Sequence, residues 1–248
     1  MGTNKVDILF VVDASGSMSP CFQKLRDNLR SFIAPLNQAN FEIRYGLLAY
    51  HAGMAGSNPA YDLVFIGGNS PSLLGELYSP QLNTDNYFTR DAGKFLQALD
   101  SVRPSGDEDS FLALDIAADF PFDEITESRR VIAFFSDEKM EDGILGTQPA
   151  EKFQLVLQKI VKRKIALYAY LPPSNTAAMM MSLPKAIIKS VGEGPGCWDQ
   201  IDFGQMLEQM GKSISASTLQ MVAEPEYQKA IYEQDKFVVC DNITMTGR

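Results

Sequence analysis

Histidine, cysteine and net positive charge are what this 248-residue chain has least of. It carries one histidine, His51, and three cysteines, Cys21, Cys197 and Cys240, which lack the paired spacing of a zinc site. That scarcity argues against a Cys/His metal cluster and a disulfide framework, and leaves His51 without an evident catalytic partner in the sequence. Lys and Arg number 22 against 31 Asp and Glu, a net charge of −9, so neither nucleic acid nor an anionic membrane is expected as the main partner. No apolar run reaches the ~18 residues that would span a bilayer, and the first residues lack a basic-then-apolar leader pattern. The cytoplasm is therefore the expected compartment. Repeats and low-complexity linkers are missing too. With 45% hydrophobic and 21% charged residues, the chain reads as an ordinary globular protein able to bury a core without staples.

The most informative stretch is Val6 to Met18, VDILFVVDASGSM. Its continuous apolar run, rich in Val, Ile and Phe, reads as a strand buried on both faces, as in the centre of a parallel sheet. The run ends at Asp13, and Ser15, Gly16 and Ser17 make the turn that follows. Ser19 and Pro20 then have the character of a helix N-cap and first helical position. Ligands of open α/β sheets bind outside such carboxyl ends. The groups offered here are all oxygens, the set preferred by hard cations such as Mg²⁺.

Further along, Phe22, Leu25, Leu29, Phe32, Ile33 and Leu36 recur at helical spacing. Phe41 to Tyr50 reads as a second strand, His51 to Ala60 as a loop, and Asp62 to Ile66 as a short strand at an antiparallel edge. Between Gly67 and Asn86 turn residues dominate and periodicity is weak. Thr89 or Asp91 can cap a short helix bearing Phe95, Leu96 and Leu99. An acidic loop, Arg103 to Ser110, leads into the nearly all-apolar helix FLALDIAADF, which must be buried. Arg130 to Ser136 is a second buried strand ending at Asp137, and Glu138 follows. Phe153, Val156, Leu157, Ile160 and Val161 mark an amphipathic helix, and Ile165 to Leu171 a third buried strand. Ala177 to Ile188 reads as helical with Pro184 interrupting it. Met179 to Met181 serve as packing there, and Trp198 as core or loop cover beside the Gly192–Gly196 loop. Phe203, Met206, Leu207, Met210 and Ile214 form a last helical face, and Phe237 to Cys240 an added edge strand. Alternating strands and helices predict an α/β protein: a Rossmann-like doubly wound sheet, mostly parallel with one antiparallel edge strand and helices on both faces.

Asp13-Ala14-Ser15-Gly16-Ser17 resembles the D-x-S-x-S signature of von Willebrand factor A domains of the bacterial intracellular type, where it forms a metal-ion-dependent adhesion site. The resemblance covers about residues 5 to 215, with residues 1–216 expected as the domain and 217–248 as a C-terminal extension packed on it. It implies two further ligands. Ser110 stands where the family carries a Thr, and Asp137 stands where the family carries an Asp at the end of a buried strand. Serine replacing threonine leaves the register of the middle loop open, and Asp107 or Asp109 is the alternative ligand there. Asp107 to Asp109 also suits the positive end of the following helix. His51 lies near the expected metal edge, where a surface or hydrogen-bonded role suits it.

Taken together, Asp13, Ser15, Ser17, Ser110 and Asp137 are the expected ligands of Mg²⁺ or Mn²⁺. Magnesium takes about six oxygens in an octahedron at roughly 2.1 Å and keeps several waters. With three neutral hydroxyls in the set, an acidic side chain of a partner protein can supply the missing negative charge. That is binding chemistry, and no enzyme is expected. The resemblance further implies partners such as AAA ATPases of the MoxR or chelatase kind, or tellurite-resistance-type stress operons. Two rival expectations are a haloacid-dehalogenase-type Mg²⁺ phosphatase, disfavoured because Ser15 replaces its second Asp, and a metal-free scaffold.

Overall fold

The computed structural model describes residues 5–38, 41–52, 61–69, 71–107, 109–125, 128–140, 150–194 and 196–223. The reading of Phe237 to Cys240 as a strand lies outside them, as does the 217–248 extension beyond residue 223. The sheet is built on β1 (Lys5–Asp13), whose neighbours β2 (Glu42–Ala52) and β6 (Ser128–Phe135) both run parallel to it. Beyond β6 come β7 (Ile165–Leu171) and β8 (Ala186–Ser190), again parallel. Beyond β2 the direction reverses: β3 (Tyr61–Phe65) and then β4 (Gly68–Asn69) are antiparallel, and β5 (Phe88–Thr89) pairs antiparallel with β2. The order β4-β3-β2-β1-β6-β7-β8 is that of a doubly wound sheet.

Both faces of β1 are buried, which is why its sequence does not alternate. Val6, Ile8, Phe10 and Val12 face one core, shared with α1 (Ser19–Gln38), α3 (Ala92–Ser101) and α7 (Phe203–Ala223). Leu9 and Val11 face the other, shared with α4 (Ser110–Asp119), α5 (Ala150–Lys162) and α6 (Asn175–Met181). Phe10 is the hub of the first core, with ring centroids 5.4 Å from Phe32, 5.1 Å from Phe95 and 6.4 Å from Phe135. At the far end of the sheet the buried Asp7 is neutralised by a two-pronged bond from Arg44, at 2.8 and 2.7 Å, and also accepts the Asp123 N–H.

Four local expectations change. Ala177 to Ile188 is not one helix: α6 stops at Met181, and Ala186 begins β8. Pro184 cannot continue the helix, Lys185 turns the chain at φ 61°, and Ala186, Ile187 and Ile188 then pair with β7. The weakly periodic stretch after Gly67 contains a seven-residue helix, α2 (Pro71–Leu77), too short for periodicity to reveal. His51 sits on β2, which runs two residues further than expected, and its Nε2 lies 3.3 Å from Asp62 Oδ2 across the strand pair. Ser19 does not cap α1. A single helical turn at Gly16–Met18 precedes it, and the Ser19 hydroxyl donates back to the Gly16 carbonyl at 3.2 Å.

Truncating Phe10 to Ala should cost about 3–5 kcal/mol of unfolding free energy, read from urea titration, because three rings lose their common contact.

Candidate functional site

The order of the strands puts the site where it is. The chain winds to opposite sides of β1, towards β2 on one side and β6 on the other, so the loops leaving the carboxyl ends of β1 and β6 diverge and open a crevice. Asp13 is the last residue of β1, and Asp137 lies two residues beyond β6. Parallel register sets these ends side by side, with Val12 opposite Phe135.

Four of the five sequence-predicted residues form one connected group. Asp13 is fully buried. Its Oδ1 accepts the Ser15 N–H at 2.7 Å, which closes the turn, and its Oδ2 accepts the Ser136 hydroxyl at 2.9 Å. The Ser15 and Ser17 hydroxyls are 3.0 Å apart. Ser17 then donates to Asp137 Oδ1 at 3.0 Å, bridging 120 residues of chain. The other oxygen of Asp137, Oδ2, is buried and has no hydrogen-bond partner among the described residues.

Ser110 joins the group at one remove. It is the buried first residue of α4, and its hydroxyl lies 2.7 Å from that of Tyr50. Tyr50 sits opposite Asp13 in the β1–β2 register, and its carbonyl accepts the Ala14 N–H at 2.7 Å. The loop before Ser110 is docked on the same turn, with the Ser105 N–H bonded to the Ala14 carbonyl at 2.8 Å. The two alternative residues do different work. Asp109 is buried and caps α4, accepting the Leu112 N–H at 3.1 Å, whereas Asp107 is exposed.

Three contributors escaped the sequence reading. Ser136 reads in sequence only as a strand end, although it is the sole hydroxyl in RVIAFFS and immediately precedes Asp137. Tyr50 reads in sequence only as a strand residue, and the β1–β2 register places it level with Asp13. The Gly192–Gly196 loop touches the site through Gly194, whose N–H bonds to the Asp137 carbonyl at 2.9 Å. Beside it Trp198 is buried, and its indole N–H points at the Met18 sulfur, 3.1 Å away.

Burial dominates the electrostatics. It pushes the Asp13 carboxyl up to about 7, against the opposing pull of the Ser15 and Ser136 hydrogen bonds. Burial also raises Asp137, again against a hydrogen bond, that of Ser17. Two desolvated carboxylates, with Asp137 Oδ2 lacking a hydrogen-bond partner among the described residues, are groups whose charge a cation would compensate. The donor set is carboxylate and hydroxyl oxygen. Among the described residues no three His, Cys, Asp or Glu side chains converge as metal ligands, so a bound ion would depend on the serine hydroxyls. Oxygen donors of this kind fit Mg²⁺ or Mn²⁺ and do not fit a soft metal.

The von Willebrand factor type A domain family matches residues 7–177. This chain belongs to that family. No curated protein sequence matches it. Among solved structures, the SpRpn10 VWA domain is similar at a TM-score of 0.50 and 14% identity, over 81% of this chain and 97% of that one. The pilus adhesin SpaC from Lactobacillus rhamnosus GG is similar in its open conformation at a TM-score of 0.52 and 14% identity, over 88% of this chain and 31% of the adhesin. At such identities the likeness is one of fold. Among the described residues of this VWA domain, no helix is long and apolar enough to cross a membrane.

A pH dependence follows from Asp13. Its carboxyl titrates near 3.8 when unfolded and about 7 when folded, so the folded state holds the proton more tightly. The stability it contributes is full below the lower value and is lost as pH rises through the upper one. In chelator, Asp13→Asn should therefore raise stability relative to wild type at pH 8 by at least about 2 kcal/mol more than at pH 4. Urea titrations of both proteins at the two pH values read this directly.

Proposed function

We propose that this VWA domain is a protein-binding module that holds Mg²⁺ or Mn²⁺ through Asp13, Ser15, Ser17, Ser110 and Asp137. The observation that carries the reading is the buried Asp137 Oδ2, which has no hydrogen-bond partner among the described residues, set in a linked group of hydroxyls and a second carboxylate. The bound cation would supply a Lewis-acidic position able to accept a carboxylate from a partner. The chain's own residues do the rest. Asp13, tied by Ser15 and Ser136, supplies fixed negative charge close to the cation, and Ser15 and Ser17 supply neutral oxygens. With two carboxylates against a divalent charge, a partner's Asp or Glu adds a third anion at modest electrostatic cost. His51 is paired with Asp62 and is not part of the linked group, which favours binding over catalysis. A cytoplasmic role beside an operon partner such as an AAA ATPase is the setting in which such a module fits.

Metal binding can be checked without the partner. Mn²⁺ at about 100 times its Kd should stabilise the wild type by roughly 2.7 kcal/mol, and Asp13→Ala should abolish the shift. Capture of the native partner should be lost in EDTA and restored by Mg²⁺. Equal capture in EDTA would refute the reading.

A further inference from the structure

Resting on that reading, we infer that Tyr50 is a positioning residue of the metal site, one that holds the Ser110 hydroxyl ready for the cation. The phenol and the Ser110 hydroxyl are 2.7 Å apart, and both side chains are buried. Tyr50 touches two of the three ligand-bearing segments. Its carbonyl accepts the Ala14 N–H, inside the Asp13–Ser17 turn, and its hydroxyl meets the first residue of α4. Its ring is held in turn against Phe134, with centroids 6.1 Å apart, on the neighbouring strand but one. The phenol oxygen is therefore placed by strand register and by packing. Both of these act from the sheet, whereas Ser110 belongs to α4.

The consequence for Ser110 is chemical. A serine hydroxyl has one proton and two lone pairs, and it binds a cation through a lone pair. When Ser110 donates its proton to the Tyr50 oxygen, its lone pairs face away from the phenol and are free for the ion. A serine lacks the methyl that restrains χ1 in a β-branched threonine, so an external partner must fix its rotamer. Tyr50 is that partner. The phenol thus acts through Ser110 and need not itself meet the cation.

The experiment is Mn²⁺ binding to the full chain, followed by electron paramagnetic resonance of the free ion, for wild type, Tyr50→Phe, Ser110→Ala, the double variant and Asp13→Ala. Tyr50→Phe keeps the ring and its contact with Phe134, so the metal-free melting temperature serves as the control for folding. We expect Tyr50→Phe to weaken Mn²⁺ binding about 5- to 20-fold, Ser110→Ala to weaken it at least as much, and the double variant to lose no more than Ser110→Ala alone. Ser110→Thr, which restores the branched rotamer, should recover most of the loss caused by Tyr50→Phe. Wild-type affinity in Tyr50→Phe, or losses that simply add in the double variant, would overturn the inference while leaving the metal site standing. Absence of Mn²⁺ binding to wild type would overturn both. Loss of binding only in Asp13→Ala would overturn the role given to Tyr50 and Ser110.

Discussion

The hydrogen bond from Ser17 to Asp137 Oδ1 is the contact on which the arrangement at the sheet's edge depends. It joins the turn after the first strand to the loop after the sixth, and it runs from a half-buried hydroxyl to a buried carboxylate. In such surroundings a hydrogen bond to a charged group is stronger than in solvent, and an unmatched charge is correspondingly costly. Asp13 and Asp137 are held together under that condition. Burial raises both, and each is also given hydroxyl or amide donors that favour its charged form. For both carboxyls burial outweighs those donors, and the net shift is upward.

The scaffold makes this tension tolerable. β1 is braced on both sides by parallel neighbours, and aromatic rings converge on Phe10 behind it. At the opposite end Asp7 is charge-matched by Arg44. The two carboxyls raised by burial, Asp13 and Asp137, lie at the crevice end, where the loops diverge. Asp137 Oδ2, without a hydrogen-bond partner among the described residues, sits where backbone bonds from Ser15, Ser105 and Gly194 fix the loops.

Long apolar runs made the central strands legible. VDILFVV, RVIAFFS and IALYAYL each name a strand buried on both faces, and the helices between them imply a parallel sheet. The D-x-S-x-S turn and Asp137 were legible because each closes such a run. What could not be read depended on neighbours distant in sequence. β8 is a strand because β7 offers it an edge, and nothing within Ala186 to Ser190 overrides the helical look of the residues before it. Ser136 and Tyr50 belong to the site through register, a property of paired strands that a single strand does not display. Asp109 shows the limit at finer scale. An acidic residue before an apolar helix suits a cap or a ligand equally in sequence, and the structure shows Asp109 Oδ1 used as a cap for the Leu112 N–H.

The pairing of β1 with β6 has a temporal side. Lys5 lies opposite Ser128, so the first strand must wait for more than a hundred further residues before its second neighbour exists. Long-range pairing of this sort is slow, and it leaves apolar backbone edges unsatisfied while the ribosome is still at work. β2 arrives early and shields one side. The other side stays open until the segment ending in Phe135 emerges, and Asp137 follows two residues later. The crevice end of the sheet is therefore completed only after β1 has gained its second parallel neighbour.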